Sequence, residues 1–113
     1  MPHCIIEYAK EIEQSLAVNK LLLGVHQTVV ESQLFEEPSI KTRAIAYEHY
    51  LTGGDKIPFI HVTFKILFGR NHQQKKDLTK LMLDKLSEIV VPPISLSVEV
   101  IDIEKVSYKK LVI

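Results

Sequence analysis

One pattern occurs twice in this chain, and it restricts the fold more than any other feature. "PHCIIEY" is a short Ile-rich run bounded by polar residues, which suits a largely buried strand. Beyond it Val18, Leu21, Leu22, Val25 and Val29 recur at helical spacing and predict a helix over residues 15–33. After Pro38, Ile40, Thr42, Ala44 and Ala46 alternate with Lys41, Arg43, Ile45 and Tyr47, the period of a second strand. "TGGDK" is then the clearest turn signal, because paired glycines permit the positive backbone angles of tight turns.

Past that turn the pattern restarts. "IPFIHVTFKIL" is β-branched and aromatic, and Leu78, Leu81, Met82, Leu86 and Ile89 mark one face of a second helix that Asn71 is placed to cap. Pro92 and Pro93 break that helix, and "ISLSVEVIDI" alternates as a fourth strand. The expected fold class is therefore α+β, one domain over residues 1–113. Two βαβ repeats, about 2–51 and 57–104, form a four-stranded mixed sheet with two helices on one face. "KVSYKKLVI" over residues 105–113 reads as a short edge strand, a docking tail or a frayed end. Phe59 and Leu67 lie opposite Ile60, Val62, Phe64 and Ile66 in strand three, so apolar residues on both faces predict an oligomer that covers the second one.

Composition excludes several classes. The 113 residues carry 14 basic and 14 acidic side chains, a formal balance of zero that lacks the footprint of a nucleic-acid binder. Any functional charge is therefore local. "EYAKEIEQ" interrupts the opening where a secretory signal needs an apolar stretch, and no run approaches the roughly 20 apolar residues of a membrane span. The expected location is cytoplasmic, with no membrane and no nucleic-acid partner. Cys4 stands alone, which rules out an intrachain disulfide and fits a small buried strand residue.

No phosphate loop, dinucleotide fingerprint, GxSxG or HExxH motif occurs, and strand three lacks the aromatic signature of an RRM. The remaining candidates are separate residues. Arg70 falls between strand three and the second helix, where helix amides also attract anions. Lys41 and Arg43 are two apart in a strand and so share a face, as an anion site or as a solvated surface. His3, His61 and His72 have no paired Cys or acid at ligand spacing, which favours structural roles and leaves no metal site. Lys75 and Lys76 read as a solvated helix face. Phe35, Tyr47 and Phe59 are candidates for an apolar clamp.

Pro2 is the unusual residue. If Met1 is removed, Pro2 becomes a secondary amine, and desolvation with nearby cations would depress its pKa enough for a neutral general base at pH 7. If Met1 stays attached, the same nitrogen is a tertiary amide.

Together "MPHCIIE", "SIKTRAIAY" and "HVTFKILFGR" resemble the tautomerase superfamily, and most closely its 5-carboxymethyl-2-hydroxymuconate isomerase branch, over essentially the whole chain. The resemblance implies a MIF-like tautomerase architecture and a homotrimer. It also implies a cofactor-independent isomerase of unsaturated 2-oxo or 2-hydroxy di- or tricarboxylic acids, in the breakdown of homoprotocatechuate. Pro2 matches the proline that moves a proton between carbons, and Arg70 the arginine that binds a carboxylate or the developing dienolate. Arg43 and Lys41 match two basic substrate-binding residues, although lysine cannot supply arginine's planar fork. No metal or organic cofactor is implied, because one base and fixed cations suffice for the proton shift. Two other readings stand beside this one: a tautomerase of a different enol, and a non-catalytic trimeric small-ligand-binding or signalling protein of the same fold.

Overall fold

The computed structural model describes all residues, Met1–Ile113. Strand β1 (His3–Ala9) leads through a 3-10 turn (Lys10–Gln14) into helix α1 (Val18–Glu31), and β2 (Lys41–Tyr47) returns. The second half repeats this as β3 (Phe59–Leu67), α2 (His72–Ile89) and β4 (Ser95–Ile103). The strands lie in the order β2-β1-β3-β4. β1 runs parallel to β2 and antiparallel to β3, and β3 runs parallel to β4, so the sheet is mixed as expected.

Alternation decides which side faces the helices. Cys4, Ile6 and Tyr8 of β1 and Ile60, Val62, Phe64 and Ile66 of β3 enter one core with Leu21, Val25 and Val29 of α1 and Leu78, Met82 and Leu86 of α2. Burying each of the larger side chains contributes about 1.5–3 kcal/mol. The other face is less apolar than the sequence suggested. Phe59 and Leu67 lie there half-buried, but between them His61 bonds Ser97 Oγ at 2.7 Å and Glu99 at 2.6 Å, and Tyr47 donates to Glu7. Across the strands of this face the polar side chains therefore satisfy one another.

The helix limits differ from those expected. α1 starts at Val18 rather than near residue 15: the 3-10 turn before it buries Ile12, and Leu16 is buried in the link between the two. It ends at Glu31, where Ser32 Oγ donates to Val29 O at 2.6 Å and Gln33 takes φ +60° to turn the chain out of the helix. Asn71 caps α2 as expected, accepting from the Gln74 amide at 2.8 Å while the Gln74 side chain accepts from the Asn71 amide at 2.9 Å. Lys75, read as solvated, instead reaches Asp102 of β4 at 2.8 Å. At "TGGDK", Thr52 and Asp55 bridge across Gly53 and Gly54, whose φ values of +60° and +83° suit a two-residue hairpin turn.

Two other glycines respond oppositely to one substitution. A Cβ on Gly24, inside α1, would lie 3.6 Å from Ile89 Cδ1 and 3.8 Å from Lys85 Cε, ordinary contact distances. Gly24→Ala is therefore expected to stabilise the fold by about 0.5–1 kcal/mol through helix propensity and the unfolded chain. Gly69 holds φ +139° with open space around it, so the cost of an added Cβ is backbone strain rather than crowding. Gly69→Ala should destabilise by about 1–2 kcal/mol. Urea unfolding of the two variants checks both signs.

Candidate functional site

The start of β1, the segment after α1, the end of β3 and the C-terminal tail meet at one end of the sheet. Parallel pairing sets His3 of β1 level with Lys41, and antiparallel pairing sets it level with Lys65. Upstream, the Met1 ammonium donates to Ser39 O at 3.0 Å and Ser39 Oγ to Met1 O at 3.4 Å, while the Lys41 amide donates to Pro2 O at 3.0 Å. Met1 is thus fastened beside the sheet. Gly69 turns the chain at the end of β3 and delivers Arg70, whose Nη2 donates to Leu34 O at 2.7 Å. The guanidinium also stacks 4.7 Å from the centre of the Phe35 ring.

These groups surround a cavity of about 580 Å³ whose walls include Met1, Leu34, Phe35, Leu67, Arg70, Tyr108 and Lys110. Its electrostatics are cationic. Desolvation, followed by Lys110, Lys41 and Arg70, holds the Met1 ammonium below the usual α-amino range. Glu36 and Ser39 also line the cavity. Arg70 has one protein acceptor, Leu34 O, so most of its five N–H donors are free for an anion.

The expected site residues do not all gather here. Arg70 and the candidate clamp Phe35 face the cavity, whereas Tyr47 and Phe59 pack together on the helix-free face, 6.0 Å between ring centres. Lys41 and Arg43 line a separate groove of about 690 Å³ between α1 and β2, with Leu22, Leu23 and His26. Arg43 Nη1 donates to His3 Nδ1 at 3.0 Å, and His3 Nε2 lies 3.2 Å from Tyr108 Oη. Desolvation, then Arg43 and Lys41, holds His3 below its ordinary pKa. Burial pushes the Cys4 thiol up to about 12, which leaves it inert. No group of His, Cys, Asp and Glu side chains could hold a metal ion. Sequence reasoning missed Tyr108 and Lys110, although an aromatic beside two lysines in a tail too short to fold alone is a signal for docking.

One expectation is overturned. Met1 precedes Pro2, which is buried at the head of β1, so the Pro2 nitrogen belongs to a peptide bond. Its lone pair is delocalised into the Met1 carbonyl and cannot accept a proton. The terminal amine belongs to Met1 and is engaged with Ser39. A catalytic N-terminal proline, and the isomerase activity expected from it, are corrected accordingly.

The model of the 5-carboxymethyl-2-hydroxymuconate isomerase family matches residues 2–113. No curated protein matches the chain significantly in sequence. Among solved structures, a 5-carboxymethyl-2-hydroxymuconate isomerase from Deinococcus radiodurans R1 is 21% identical, with 97% of this chain and 88% of that one covered at a TM-score of 0.82. A 5-carboxymethyl-2-hydroxymuconate delta-isomerase is 15% identical over 98% and 88% of the two chains, with a TM-score of 0.85. The Q0 fused 4-OT wild-type symmetric trimer is 18% identical over 91% and 86%, with a TM-score of 0.77. At these identities the structural likeness speaks for the fold alone. No helix is long and apolar enough to cross a membrane. By the family match across all but its first residue, the chain belongs to the 5-carboxymethyl-2-hydroxymuconate isomerase family, within the tautomerase superfamily.

Proposed function

We propose that this chain is a non-catalytic binding protein for small carboxylates, built on the tautomerase fold and working as a homotrimer with Met1 in place. The observation that carries this reading is the convergence of the Met1 ammonium, Arg70 and Lys110 on one cavity in a chain of zero net charge. Arg70 is the anchor, because its planar fork matches a carboxylate and Phe35 already holds it in place. Leu34, Leu67 and the Phe35 ring supply an apolar wall for the body of the ligand. Lys41 strengthens the field from a distance, since its charge already bears on the Met1 ammonium. Arg43 acts further back, through His3. The trimer is supported by the helix-free sheet face and by the symmetric trimer among the structural neighbours. A cytoplasmic setting belongs to the reading and is supported by the unpaired Cys4.

Calorimetry with muconate, an unsaturated dicarboxylate, tests the anchor. Arg70→Gln should weaken binding about 10- to 100-fold, the loss expected for a charge-assisted hydrogen-bonded pair, with Arg70→Lys in between. Equal affinity in Arg70→Gln, or equal binding of the neutral diamide, would sink the proposal. Catalysis is tested separately on protein whose intact mass includes Met1. Ketonisation of 2-hydroxymuconate, followed in the ultraviolet, should run at the buffer rate. Saturable acceleration would overturn the non-catalytic reading.

A further inference from the structure

The Met1 amine borders the cavity, and the binding function uses it only as a charge. Its place is fixed by three bonds: the amine donates to Ser39 O at 3.0 Å, Ser39 Oγ donates to Met1 O at 3.4 Å, and the Lys41 amide donates to Pro2 O at 3.0 Å. None of the ion pairs in the chain involves it. Ser39 O is an acceptor, so a neutral amine keeps that bond through one N–H and leaves its lone pair free. An α-amino group ordinarily titrates at about 7.7–8.0. Desolvation, then Lys110, Lys41 and Arg70, holds this one lower. A share of it is therefore neutral and nucleophilic at pH 7.

We propose that Met1 captures oxo acids covalently: Arg70 holds the carboxylate, and the Met1 nitrogen forms an imine with the aldehyde or ketone carbon of the same ligand. The inference rests on the binding function proposed above for its carboxylate anchor. Arg70 and the amine border one cavity, and the guanidinium is already held by Leu34 O and the Phe35 ring. In the step, the amine lone pair attacks the oxo carbon and a proton passes from nitrogen to oxygen, giving a carbinolamine. The second N–H proton and the hydroxyl then leave as water, and the C=N bond forms. A neutral imine requires a primary amine, which Met1 supplies. Nothing is oxidised or reduced, and hydrolysis returns the ligand unchanged.

Pyruvate with cyanoborohydride traps the imine on protein whose intact mass includes Met1. The chain should gain one N-(1-carboxyethyl) group, which peptide mapping places on the Met1 nitrogen, at a rate that saturates with pyruvate. Arg70→Gln should slow this labelling about 10- to 100-fold, the loss expected when a charge-assisted carboxylate contact is removed. On the unchanged protein, methyl pyruvate keeps the oxo carbon but lacks the charge, so its labelling of Met1 should rise linearly with concentration. Equal labelling in Arg70→Gln overturns the inference, and so does saturation by the ester at the pyruvate half-point. A label spread over lysines with Met1 spared overturns it as well. Muconate has no oxo carbon, so its calorimetric binding reads the carboxylate site separately from the imine.

Discussion

Everything at the cavity depends on the register of β1 against its two neighbours. His3 is level with Lys41 on one side and Lys65 on the other, while the next residue, Cys4, points into the core. A slip of one position would exchange the faces, sending Cys4, Ile6 and Tyr8 outward and His3, Ile5 and Glu7 under the helices. Core burial forbids that exchange. The same constraint that fills the core therefore also sets Pro2, His3 and Met1 at the head of the sheet, where Ser39 and the Lys41 amide receive them.

The second organising element is charge. A chain with equal numbers of acids and bases gathers Met1, Lys41, Arg70 and Lys110 near one end of the sheet, and the terminal ammonium responds to all three side chains. Elsewhere three lysines pair with acids: Lys75 with Asp102, Lys80 with Asp84, Lys10 with Glu13. Ion pairs near the surface of this kind add little stability. Arg70 differs from the lysines in being held on two sides, by the Leu34 carbonyl and the Phe35 ring.

The architecture was legible because periodicity reports burial, and both repeats bury one face. Leu21, Val25 and Val29, and Leu78, Met82 and Leu86, are the apolar stripes read from spacing and the buried residues of the two helices. Less legible was the helix-free face, where the pairing of His61 with Glu99, or Tyr47 with Glu7, depends on which strands become neighbours. The position of Arg70 beside the cavity was legible because it sits at a strand-to-helix turn next to a glycine, a local signal. Tyr108 and Lys110 were not, since their partners lie about a hundred residues back along the chain, as in the contact from Tyr108 to His3. That a Met1–Pro2 peptide bond leaves the Pro2 nitrogen without basicity follows from peptide-bond chemistry rather than from any pattern.

The backward turn at Gly69 bears on how this surface can diversify. Arg70 takes its position from a neighbour without a side chain, whose φ of +139° most residues cannot adopt, so drift at that neighbour also displaces the cation. Lys41 and Arg43 occupy exposed places on an outer strand with ordinary extended backbone and can change independently. Charge along the β2 edge is therefore free to vary while the Arg70 cation stays fixed. Two basic clusters of similar charge thus differ in evolvability, for reasons that lie in the backbone.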